Sequence, residues 1–306
     1  MRKFSIILLF LVGLSLIFYP SVSQKLAQMN HIKVIEDFNT SYDESNREKF
    51  DIEIEKAKEF NNSLLGQSIT DPFVPNSGFV IQDNYYDIMA DSIIANLEIP
   101  VIDVLLPILH GTSDEVLKKG VGHLSETAFP IGGENNHSVL TGHTGLPSSY
   151  LLNDLNKLVL GDEIYINFPF YRLKYKVIEI TTVLPNETDN LKPQKGKDLL
   201  TVLTCTPYGV NSHRLLVTSE FVEKEEEFYV PSEELMSKTT FSLFWIIAFY
   251  VLILLIVYRI RSHIYGASIQ NRKRNLFDFK VFSYKNIRLS FPIKKELSLL
   301  NVMKMR

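Results

Sequence analysis

Leu199-Leu200-Thr201-Val202-Leu203-Thr204-Cys205-Thr206-Pro207-Tyr208-Gly209 is an apolar, β-branched run that stops at a cysteine, and Cys205 is the only one in the 306-residue chain. Nine residues on comes Arg214, in Asn211-Ser212-His213-Arg214-Leu215-Leu216-Val217, where the apolar run restarts. Pro207, Gly209 and Asn211 between them are residues that set or tolerate turn geometry. Two strands joined by so short a loop are antiparallel neighbours, so the thiol of Cys205 and the guanidinium of Arg214 face each other across the turn. A cation beside a thiol favours the thiolate. Upstream, Asn136-His137-Ser138-Val139-Leu140-Thr141-Gly142-His143-Thr144-Gly145 puts His143 at the end of another short strand.

Outward from this pair the texture is β-rich. Short runs at 92–98, 102–106, 138–142, 163–167, 171–183, 199–204 and 215–222 are separated by turn signals at Ile99-Pro100, Leu160-Gly161-Asp162 and Pro185-Asn186. Many short strands with turn signals predict a mainly β protein, a closed barrel or a sandwich.

Cys205, Arg214 and His143 together resemble the sortase family of cysteine transpeptidases. The family's Thr-Leu-x-Thr-Cys strand end, followed downstream by Arg, reads here Thr201-Val202-Leu203-Thr204-Cys205 with Arg214. Leu109-His110-Gly111-Thr112, Gly120-Val121-Gly122-His123-Leu124, the His143 segment and Cys205 to Asn211 resemble class C, the pilin-polymerising branch, and the likeness covers roughly residues 70 to 225. It implies an eight-stranded sortase-type β-barrel with short helices, one of them at 149–158. Asp71-Pro72-Phe73 matches the Asp-Pro-aromatic lid of class C, so Asp71 is expected near Cys205 and Arg214, with Phe73 over the cleft. The resemblance makes Cys205, His143 and Arg214 the catalytic residues, with Tyr208 and Thr204 as candidate contacts for substrate or oxyanion. It also implies pilin subunits with Leu-Pro-x-Thr-Gly-like sorting signals as substrates and a lysine amine on a second pilin as acceptor. Readings that keep the fold but change the role are a cell-wall-anchoring sortase of another class, an inert membrane-held pilus scaffold, and a secreted cysteine hydrolase.

The remaining histidines read as structural. His213 precedes Arg214, so in a strand its side chain points to the other face, and His110 and His123 are expected to shape loops. The seven histidines lack a metal-type spacing and the cysteine has no partner for a zinc site or disulfide, so no metal or other cofactor is expected. No phosphate-binding glycine loop is present; Ile131-Gly132-Gly133 is too little to be one.

Composition, 45% hydrophobic and 22% charged, is that of one globular domain with membrane segments. Residues 4–19, after Arg2 and Lys3, form an apolar run suited to a signal sequence or a retained anchor over 1–23. A second uncharged run predicts a transmembrane helix over 239–258, followed at once by Arg259 and Arg261. From 259 to 306 there are 12 Lys and Arg against Asp278 and Glu296, a net +10 that leaves −13 for the rest of a chain whose total is −3. This asymmetry predicts a basic cytoplasmic tail at 259–306 and an extracytoplasmic catalytic domain held at the cell membrane, and argues for membrane orientation over nucleic-acid binding. Between the ends, 24–66 is expected as a helical hairpin or stalk broken at Asn39 to Asp43, followed by a lid loop at 67–82 and the barrel at 83–230. Ala57, Phe60 and Leu64 supply that stalk with a modest apolar face.

Overall fold

A computed structural model of the chain describes residues 2–64, 69–71, 73, 84–90, 93–145, 151–226, 236–259 and 261–262. Two compact units divide it, Met1–Leu243 and Phe244–Arg306.

The first unit opens on helix α1, Arg2–Thr40, which runs unbroken through Pro20 and past position 23, so no helix end separates the apolar segment from the polar residues after it. The chain leaves the helix at 41–46 because local side chains outcompete the helical ladder. Ser41 Oγ donates to Phe38 O at 2.6 Å, and Asp43 Oδ1 accepts from Ser45 N at 2.9 Å. Helix α2, Arg47–Ser63, then turns Phe50, Ile54, Ala57 and Phe60 inward at three- and four-residue spacing. This face is no solvated spacer: Phe60 meets Phe129 and Tyr85 at 5.2 and 5.9 Å between ring centroids, and Phe50 packs on Phe170 at 5.3 Å. Asn61 locks the contact, its Nδ2 donating to Phe129 O and its Oδ1 accepting from Phe129 N at 2.7 Å. Phe60→Ala should therefore destabilise the barrel itself by about 3–5 kcal/mol, the cost of truncating a fully buried aromatic, as read by denaturant unfolding of the whole chain in detergent.

The barrel comprises β1 (Ala95–Ile99), β2 (Val104–His110), α3 (Asp114–Leu117), β3 (Val121–His123), β4 (Asn136–Thr141), β5 (Glu163–Asn167), β6 (Arg172–Val183), β7 (Asp198–Thr206) and β8 (His213–Glu225). It closes in the order β1-β2-β3-β4-β7-β8-β6-β5. The eight-stranded barrel is as expected, with differences of detail. β3 is not among the expected strands because three residues centred on a glycine carry no period. β2 begins at Val104 because Pro100–Ile102 is a 3-10 turn ended by Asp103 in the left-handed region at φ 52°. The helix expected at 149–158 lies partly outside the described residues, and its remainder is a single 3-10 turn at Leu155–Lys157. There Leu151, Leu152, Leu155 and Leu158 plug the core, so their helical spacing reflects one buried turn.

The register fixes which strand ends share one rim. β4 runs parallel to β7 with Thr141 opposite Leu203, and β7 pairs antiparallel with β8, Cys205 opposite Arg214. Val183 of β6 also lies opposite Arg214. On the other side, Ile99 pairs with Val104 across the β1–β2 turn, and Glu98 with Tyr165 near the start of β5. The C-terminal ends of β1, β4, β6 and β7 and the N-terminal ends of β2, β5 and β8 therefore gather at one end of the barrel.

Beyond the barrel, helix α4, Met236–Arg259, like α1 carries a stretch long and apolar enough to cross a membrane, compatible with anchoring at both ends. The basic tail lies almost wholly outside the described residues.

Candidate active site

Alternation along β7 and β8 sorts the side chains. Leu200, Val202, Leu215 and Val217 fill the barrel, whereas Leu203 and Leu216 face outward into a second apolar cluster with Val139, Leu124 and Ile69. Cys205 and Arg214 share the outward parity of Leu203 and Leu216, so thiol and guanidinium stand side by side on the outer face of the rim. That face is covered. Phe73 packs on the outer cluster, and both Cys205 and Arg214 are buried.

The cover is made by residues 69–71 and 73. Asp71, itself buried, accepts from Arg214 Nε through Oδ2 at 2.7 Å, and its Oδ1 accepts the Phe73 backbone N–H at 2.7 Å, which turns the ring back over the strand ends. Phe73 then bridges the two sides of the cleft. Its ring lies 5.8 Å from the His143 ring, and the Arg214 guanidinium carbon sits 5.2 Å from its centroid. Arg214 Nη1 also donates to the Asn211 and His213 carbonyls at 3.1 Å each, which fixes the fork against the turn. The third expected cover residue, Pro72, lies outside the described residues.

Burial pushes the Cys205 thiol pKa up; Arg214 opposes this and the Asp71 carboxylate reinforces it. Burial likewise lowers the His143 pKa, with Asp114 pulling it up and Lys118 pushing it down. With the cover in place both groups are thus biased toward their uncharged forms, which suits a resting state shielded from water and oxidants.

The other named residues separate cleanly. Thr204 has the opposite parity to Cys205: its hydroxyl donates to Gly142 O at 2.8 Å and bonds Thr144 Oγ1. Its side chain therefore does not face the thiol side of the strand; it clamps the segment that carries His143. Tyr208 is largely exposed and stands over Gly145, whose φ is +87° and where an added Cβ would meet the ring at 3.4 Å, so it borders the cleft. His213 is half-buried with Nδ1 2.8 Å from Ser212 Oγ, away from the Arg214 face. His110 Nε2 donates to Ile88 O at 2.7 Å. His123 Nε2 donates to Ala128 O at 2.9 Å and its Nδ1 accepts from Tyr85 at 3.0 Å, while burial lowers its pKa to about 3.

Two participants left no sequence signal. Asp114, at the start of α3, lies 3.9 Å from His143 Nε2. Glu126, buried after β3, accepts from both Thr70 N–H (2.9 Å) and Thr70 Oγ1 (2.8 Å), one residue before Asp71. Both depend on residues distant in sequence meeting at the rim. Glu126→Gln replaces one acceptor oxygen by a donor and breaks this second fastening, so Cys205 should be labelled by a thiol reagent several-fold faster with the melting temperature little changed. An unaltered labelling rate would confine Glu126 to shaping its own loop.

A family model for the sortase domain matches residues 97–222. The solved structure of sortase C-1 from Actinomyces oris is 45% identical, covering 57% of this chain and 99% of that one with a TM-score of 0.53. Streptococcus pneumoniae sortase C, whose structure is reported for its bearing on catalysis and pilin substrate specificity, is 36% identical over 64% of this chain and 100% of that one, TM-score 0.57. Among curated proteins, Sortase A of Streptococcus agalactiae is 24% identical over 77% of this chain and 90% of its own length. The chain belongs to the sortase family, the cysteine transpeptidases, and within it to class C.

Proposed function

We propose that this transpeptidase joins pilin subunits, with Cys205 as nucleophile, His143 as general acid and base, and Arg214 as the oxyanion or substrate-holding cation. The observation that carries the reading is the Cys205–Arg214 pair facing out of the rim and stoppered by Asp71 and Phe73. The Cys205 thiolate attacks the threonine carbonyl of a Leu-Pro-x-Thr-Gly-like signal, forming a C–S bond. The Thr–Gly amide breaks as His143 gives a proton to the departing glycine amine. A lysine ε-amine of a second subunit then attacks the thioester, loses a proton to His143 and expels the thiolate, leaving an isopeptide bond. Arg214 donates to the oxygen that becomes negative in each addition, a role open to it once Asp71 has withdrawn from Nε. Tyr208, beside Gly145, borders the path of the signal peptide.

In this layout residues 67–82 are the lid loop, 83–230 the catalytic domain, and 1–23 and 239–258 membrane segments. The excess of Lys and Arg at 259–306, together with Arg2 and Lys3, supports a cytoplasmic tail and an extracytoplasmic barrel. The test is diversion of product. Purified full-length enzyme with a sorting-signal peptide and a lysine-bearing pilin domain should yield the isopeptide-linked conjugate, and with water alone slow release of the acid. Release of the acid at one rate whether or not the amine is present would make the chain a hydrolase.

A further inference from the structure

The same barrel end that carries the site also carries an apolar rim. Its exposed apolar side chains are Val101 in the β1–β2 turn, Val159 and Leu160 before β5, Leu184 after β6, and Tyr208 and Val210 after β7, with exposures from 44% at Leu184 to 69% at Val210. They come from four loops far apart in sequence that the register brings to one end. Such convergence is unlike apolar residues scattered singly over a surface.

Helix α1 indicates what covers this rim. Its residues Gln24, Lys25, Gln28 and His31 line one crevice with Ile102–Leu106 at the barrel end in question, whereas the later Val34 and Phe38, again with His31, line another with Pro107, Leu109 and His110, farther along β2. Tyr42, just past its end, reaches Phe170 between β5 and β6, at the opposite end of the barrel. The helix therefore descends alongside the barrel from residue 24 onward. Read backward, it leaves the barrel at the apolar rim, and the turns beyond expose Leu9, Leu16, Ile17 and Tyr19 at 59–76%. At 1.5 Å per residue, Tyr19 lies only about 9 Å of helix before Lys25, and aromatic residues settle at the level of lipid headgroups.

We propose that the active-site end of the barrel rests on the bilayer surface, Val101, Val159 and Leu160 entering the headgroup boundary beside the point where α1 emerges. The rim continues the lipid-facing surface of α1, and burying such side chains at an interface is favourable in proportion to their apolar area. Cys205 and the cover over it then open close to the membrane. The geometry rests on α1 as a span, and its consequence for turnover rests on the substrate being membrane-held as proposed above.

The two are tested separately. In full-length protein carrying Cys205→Ala, a single cysteine is placed by Val101→Cys, by Leu160→Cys or, at the opposite end of the barrel, by Val222→Cys, and labelled with an environment-sensitive fluorophore. In vesicles of phosphatidylglycerol and phosphatidylcholine, emission at 101 and 160 should shift to the blue and be quenched by nitroxide lipids, while 222 stays at its aqueous wavelength and unquenched. Aqueous emission at all three positions overturns the proposal, as does a shift at 101 and 160 that needs an added protein. With Cys205 intact, the double variant Val101→Ser and Leu160→Ser should cleave a soluble sorting peptide in detergent at the wild-type rate. It should be several-fold slower on the same peptide held in vesicles by a lipid anchor; equal rates on the anchored peptide would contradict the membrane-facing orientation. Failure of both proteins on the soluble peptide would instead count against the sorting-signal reading.

Discussion

Cys205→Ala should eliminate transpeptidation, a loss of about 10³-fold or more as expected when a covalent nucleophile is removed, while the barrel stays folded. The substitution is small and apolar, and it sits at a strand end whose backbone pairing with Arg214 does not need the sulfur. Arg214→Lys separates charge from geometry. Lysine keeps the cation but loses the planar fork, which here bonds Asp71 through Nε and the turn carbonyls of Asn211 and His213 through Nη1. Turnover should fall by about 10²–10³-fold, the scale for losing an oxyanion donor. His143→Ala should fall comparably, whereas His213→Ala, whose ring bonds Ser212 on the other face, should keep most of the activity. A dead His213 variant beside an active His143 variant would reverse the assignment. The assay is conversion of a sorting peptide and amine to conjugate.

The second large effect is on access. Asp71→Ala combined with Phe73→Ala removes the carboxylate from a buried ion pair and the ring from between His143 and Arg214. Breaking a buried pair costs about 3–5 kcal/mol, and here the open state escapes that cost because Arg214 is rehydrated when the cover leaves. A shift of about 3 kcal/mol in the closed-to-open balance corresponds to roughly 10²-fold faster labelling of Cys205. Cleavage of a soluble peptide should rise and air oxidation of the thiol should quicken. The pH profile carries the sign. Burial and Asp71 both hold the thiol pKa up in the closed form, opposed by Arg214, so losing the cover should move the onset of labelling to lower pH. Identical rates and profiles for variant and wild type would mean that residues 70–73 do not guard the site.

The pairing of Cys205 with Arg214 is legible in the sequence because it is local: a turn of a few residues between two apolar strands leaves one simple geometry. Asp71 and Phe73 are readable only through family likeness, since nothing in a chain separation of 143 residues announces a 2.7 Å ion pair. Strand alternation alone puts the Thr204 side chain on the face opposite Cys205, where it bonds Gly142 and Thr144. β3 and the plug at Leu151–Leu158 escape a sequence reading for a related reason, because tertiary packing and not local period decides those segments. Glu126 and Asp114 are legible only once the rim is assembled, being brought to it by strand order. The docking of α2 on the barrel is half visible, in the spacing of Ala57, Phe60 and Leu64, but the sequence does not say what that face meets.

The account stands on a covalent bond to one sulfur, and intact-mass spectrometry of the full-length enzyme mixed with a Leu-Pro-x-Thr-Gly-like peptide in the absence of amine measures it directly. The predicted result is a single adduct equal to the peptide's acyl portion through threonine, mapped to Cys205, more abundant in the Asp71→Ala and Phe73→Ala double variant and discharged by a lysine-bearing acceptor. Peptide cleavage by the Cys205→Ala protein, or cleavage by the wild type with no acyl group ever trapped on Cys205 even when the cover is removed, would contradict it.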